Sequence, residues 1–80
     1  MTDTLADALP REIKRVQEKK ERWAVYAADM DKHAPGSSAG MRLSMNIMQA
    51  EIDTAVAVLA SGDVVAMMAS HEALKGYDND

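Results

Sequence analysis

The stretch Met41–Ala60, MRLSMNIMQAEIDTAVAVLA, is an unbroken helical pattern without a glycine or proline, apolar on more than one side. Met41, Met45, Met48, Ile52, Ala55 and Leu59 recur at alternating steps of four and three, which is one face of an α-helix. Leu43, Ile47, Ala50, Thr54 and Val58 make a second, adjacent stripe. A helix that is apolar along two stripes needs cover from two directions, so this one is expected at the centre of a helical bundle.

Working outward, Leu9, Ile13, Val16, Lys20, Trp23, Ala27 and Met30 form a heptad-like seam, and a first helix is expected over about 9–31. Thr4-x-x-Asp7 has the form of a capping box, but Pro10 places the expected start between Asp7 and Pro10. Glu12, Arg15, Lys19 and Arg22 fall on the opposite face, towards water, while Lys20 sits in the seam and is expected to carry its ammonium outward. Ala34-Pro35-Gly36 stops this helix and Ser37 or Ser38 caps the next, over about 40–60, so the two form an antiparallel hairpin. Gly62 suits a left-handed stop and Asp63 an N-cap. A shorter third helix follows over about 64–75, with Val64, Met67, Met68, His71 and Leu74 on one broad face. Gly76 is a second candidate stop, with Tyr77 folding back onto Leu74. The expected fold class is all-α: a hairpin plus a short third helix, a three-helix bundle in one domain over 1–80, with 1–8 and 77–80 frayed.

The chain has 80 residues and no cysteine, so one small core must serve without disulfides or thiolate metal sites. Two histidines do not make a closed zinc site. Seven methionines, no phenylalanine, and Trp23, Tyr26 and Tyr77 as the aromatic residues describe an adaptable core. A formal net charge of −4 argues against general nucleic-acid affinity. The acidic opening has no basic or apolar segment of a signal peptide, and Arg42, Glu51, Asp53 and Asp63 interrupt the most apolar region, so a soluble, cytoplasmic protein without membrane contact is expected. The first two helices reach roughly 30 Å and the third little more than half that, which leaves part of the second stripe uncovered. A homodimer, or a higher even oligomer, is the expected remedy, with Met45, Met48, Ile52, Val64 and Met68 as interface candidates.

No constellation names a reaction. Asp29-x-Asp31-x-His33 alternates possible ligands, yet lacks the further oxygen donors and bidentate glutamate of a calcium loop. His71-Glu72 is half of a zincin motif whose second histidine position is Lys75. Glu51 and Asp53 lie two apart on a helix and point in different directions. The serines carry no nucleophile-elbow context, and Pro35–Gly40 has no phosphate-loop lysine. A non-enzymatic chain without cofactor or metal is the expectation. Arg11–Arg22 holds six of the nine basic residues, interleaved with Glu12, Glu18 and Glu21, so the alternative is an accessory regulator touching phosphates through Lys14, Arg15, Lys19 and Arg22. The third helix offers no Arg, Asn or Gln to read base edges, which removes a helix-turn-helix from consideration.

Leu9-Pro10-x-Glu12…Arg15-Val16, then Met41…Met45…Met48-x-Ala50-x-Ile52, then Ala60-Ser61-Gly62-Asp63-Val64-Val65-Ala66-Met67…Glu72-x-Leu74-Lys75-Gly76-Tyr77 together resemble small phage- and prophage-encoded helical proteins of unknown function. The resemblance spans most of the chain and rests on packing and capping signals. It implies a phage setting, no known activity and no functional residues to carry over. The function expected from the residues is interaction or assembly, through oligomerisation or a methionine-rich groove.

Overall fold

In the computed structural model, which describes residues 3–77, the described residues form three helices: α1 Leu5–His33, α2 Ala39–Ser61 and α3 Val64–Lys75. The all-α fold class expected from the sequence is what the structure shows, and no strand occurs among the described residues. Each helix packs against the other two. The core is one cluster: Leu9, Ile13 and Val16 from α1, Met48, Ile52 and Ala55 from α2, and Met67 and Leu74 from α3. Met41, Met45 and Leu59 complete the expected face of α2 as half-buried side chains at its margins.

Two boundaries correct the sequence reading. α1 begins at Leu5, so residues 5–8 are helical rather than frayed, and Pro10 lies inside the helix. Thr4 is the N-cap: its Oγ1 accepts the Asp7 N–H at 3.3 Å and donates to Asp7 Oδ2 at 2.9 Å. An interior proline costs about 3 kcal/mol. Burial of Leu9, fully enclosed, and of Leu5, packed against the core, together with the cap, offsets a cost of that size. The second correction is Gly76, whose φ of −67° is ordinary right-handed backbone, so it is no left-handed stop. Gly62, by contrast, has φ +73° and closes α2 by donating its N–H to the Val58 carbonyl. Asp63 caps α3, accepting the Ala66 N–H at 3.2 Å. Tyr77 is held against the core cluster and donates its N–H to the Leu74 carbonyl, so fraying does not begin there; residues 78–80, and Met1 and Thr2, lie outside the described residues.

The helices differ in length: 29, 23 and 12 residues. At about 1.5 Å per residue α3 spans about 18 Å, less than half of α1. One half of the molecule is therefore a three-helix bundle and the other a bare two-helix hairpin, with overall extents of 47 × 23 × 17 Å. No helix among the described residues is long and apolar enough to cross a membrane.

Candidate interaction surface

Polar clamps set the register of the three helices. Arg15 is half-buried between α1 and the end of α3, with Nε on Glu12 Oε2 at 2.7 Å. Its Nη atoms donate to the Tyr77 carbonyl at 2.7 Å and the Leu74 carbonyl at 2.9 Å. The orphan carbonyls that end every helix are thus partly satisfied by a guanidinium from another helix. At the far end Asp31 receives the backbone N–H of Ser38 at 3.2 Å, its hydroxyl at 2.6 Å and Arg42 Nη2 at 3.1 Å. These bonds, those of Ser38 first, lower the Asp31 pKa from its ordinary value. Midway, Lys20 donates to Gln49 Oε1, whose amide in turn donates to Asp53. Lys20 thus reaches out of the seam, as its flexible stem allows, to a side chain on α2.

These clamps take the proposed phosphate face apart. Arg15 is committed to α3, and Lys19 is 4% exposed with its ammonium 5.0 Å from the centre of the Trp23 ring. The face assigned to water is partly enclosed, with Arg15 against the end of α3 and Lys19 buried, and Lys14 is the one of the four basic residues that lies fully at the surface. Asp29 and His33 pair with each other near the end of α1, with His33 Nδ1 3.0 Å from the Asp29 carbonyl oxygen. Asp31 faces Ser38 instead. No metal-binding group of three or more ligands occurs among the described residues.

The interface candidates also divide. Met48 and Ile52 are each 1% exposed and belong to the core, because α2 turns the middle of its first stripe inward. Met45 is half-buried; Val64 and Met68 are exposed, Val64 at the bundle end and Met68 on the outer row of α3. The larger apolar surface lies elsewhere. Arg15, Lys19, Arg22, Tyr26 and Met30 step by four, three, four and four along α1, so Tyr26 and Met30 continue the side that meets α3. Thr54 and Glu51 of α2 border α3, and Ile47 and Leu43 continue that row. Beyond the end of α3, then, Tyr26 (53% exposed), Met30 (38%), Leu43 (62%) and Ile47 (50%) face the same open side of the hairpin. It is a shelf, apolar and without a third helix.

Two concavities flank α3. Between α2 and α3 an open groove of about 210 Å³ is lined by Glu51, Thr54, Ala69, Ser70 and Ala73. At the bundle end a second, of about 480 Å³, is lined chiefly by Leu5, Ala6, Leu59, Val64 and Met67. Tyr77 stands near the first, and burial, then the charge of the Glu51 carboxylate, raises its phenol above the ordinary 10.0. The role of Arg15 and the groove at Glu51 were missed by the sequence reading. Helical spacing alone places Arg15 beside the α3 side, but which side that is depends on the turn at Gly62.

No protein-family model, curated protein or solved structure matches the chain.

Proposed function

We propose that this chain is a non-enzymatic interaction protein that associates with a second copy of itself through the open half of the α1–α2 hairpin. The observation that carries the reading is the shelf of Tyr26, Met30, Leu43 and Ile47, which continues the packing side of both long helices beyond the reach of α3. A homodimer lets each copy supply the cover that the other lacks, and a two-fold arrangement makes the contact closed. The phage setting implied by the resemblance is compatible with a small assembly factor of this kind and adds no residue to the site.

Sedimentation equilibrium between about 5 μM and about 1 mM tests the reading, because a contact of this size belongs in the micromolar-to-millimolar range. The expected result is a mass rising from the 8.7 kDa of one chain towards twice that value. An unchanged single-chain mass across the whole range refutes it. The alternative, phosphate contact through α1, retains Lys14 but sets Arg15 and Lys19 against internal contacts.

A further inference from the structure

Glu51 lies half-buried on α2, at the wall of the 210 Å³ groove between α2 and α3. Its Oε2 is sealed from solvent and has no hydrogen-bond partner, although the Tyr77 phenol donates to the same carboxylate. A buried carboxylate oxygen without a donor costs stability, and proteins rarely keep one. The guanidinium of Arg15 donates to the Leu74 and Tyr77 carbonyls and to Glu12, and none of the ion pairs described above includes Glu51. The rest of the lining is small: Ala69 and Ala73 leave space between the helices, and Thr54 and Ser70 bring hydroxyls.

We propose that this groove is a binding site for an alkyl-ammonium or alkyl-guanidinium group, with Glu51 as its counter-charge. The groove falls below the roughly 300 Å³ at which sites for whole small-molecule ligands begin, so its occupant is the size of one side chain. The apolar walls accept an aliphatic stem. The terminal carboxylate torsion of glutamate is broad, so a small turn brings Oε2 to the groove, where a cation supplies the missing donor. The chemistry is that of a lysine or arginine side chain on a partner protein, or of a free amine. The site does not depend on the self-association proposed above, since the shelf begins beyond it on α2.

Backbone amide NMR titration of the full chain tests this with n-butylammonium, n-butanol as the uncharged match, and a capped lysine amide. Saturable shifts centred on Glu51, Thr54, Ala69, Ser70 and Ala73 are expected for both amines. Binding of n-butanol is expected to be weaker by about tenfold or more. Tighter binding of the capped lysine points to a partner segment and equal binding to a free amine; both support the site. Glu51→Gln is expected to lose the amine preference while melting no lower than the parent, because it removes an unpaired charge. Ala69→Leu, which fills the groove and leaves Glu51 intact, is expected to abolish binding. Equal response to n-butanol and n-butylammonium, unchanged amine binding in Glu51→Gln, or a large fall in its melting temperature would each overturn the proposal.

Discussion

Arg15 ties three partners with one side chain, and its fork geometry is what makes that possible. Arg15→Met keeps the apolar stem but takes the guanidinium donor from the Tyr77 carbonyl and leaves the Leu74 carbonyl with backbone N–H alone; urea unfolding is expected to show a loss of about 1–3 kcal/mol. Arg15→Lys, a point charge with one reach, is expected to recover less than half of that loss. Tyr77, at the same junction, adds a pH dependence. Its phenol is raised above 10.0 in the folded chain, so the folded state holds this proton more tightly than the unfolded one. The associated stability is complete below that value and is lost as pH rises through the raised folded value. The urea midpoint is expected to fall above about pH 10, and Tyr77→Phe to flatten that fall; an equally steep fall in the variant would show that another group carries it.

At the scale of the helix, the boundaries are set by capping chemistry that works in some places and is overruled in others. Gly62 at φ +73° has nothing within 4 Å of the position a Cβ would take, so Gly62→Ala tests the backbone conformation alone. The expected cost is about 1–2 kcal/mol by thermal melting, with Gly62→Asn closer to the parent. The α1–α2 corner depends on a carboxylate instead. Ser38 makes no side-chain cap of its own helix; it is Asp31, from α1, that receives its N–H and hydroxyl. Because Asp31 is lowered below 3.8, its contribution is present above that value and lost as pH falls through the lowered one. Asp31→Asn is expected to remove this acid-side dependence and to speed amide exchange at Ser38; unchanged exchange would mean the corner is held by packing. The same contrast explains what could be read from residue order. Gly62-Asp63 is a contiguous signal, and both of its roles were legible. Asp31 to Ser38 spans a turn whose path follows from Gly36 at φ +86°, and no spacing rule links the two residues. Pro10 misled the placement of α1, because the proline rule is local whereas the burial of Leu5 and Leu9 that outweighs it is tertiary.

At the scale of the whole molecule, the two stripes of α2 have different fates. The first became the core, legible from periodicity at Met48, Ile52 and Ala55. The second continues past the end of α3 into open surface at Ile47 and Leu43, whereas two of the five interface candidates expected from the sequence, Met48 and Ile52, lie in the core. Periodicity gives the faces of a helix; the direction from which each neighbour arrives decides which face is left over. That distinction gives an expected pair of outcomes. Ile52→Ala, at 1% exposure, is expected to lose about 2–5 kcal/mol of folding stability. Leu43→Glu with Ile47→Glu, on the shelf, is expected to leave the folding of a dilute sample nearly unchanged and to abolish association. The energetics fix how strong that association can be. Covering the exposed half of Tyr26, Met30, Leu43 and Ile47 yields about 1 kcal/mol for each side chain, or about 8 kcal/mol in a two-fold dimer. Loss of translational and rotational freedom opposes this by about 4 kcal/mol or more. The shelf by itself therefore supports association at the millimolar end, and dissociation constants near 1 μM require further contacts, for which exposed Met68 on α3 is the side chain to test. Met68→Glu separates the two cases in a sedimentation series: weakening by tenfold or more places α3 in the interface, whereas an unchanged constant confines the contact to the hairpin. If the double glutamate variant still associates with the affinity of the parent, the shelf is not the interface.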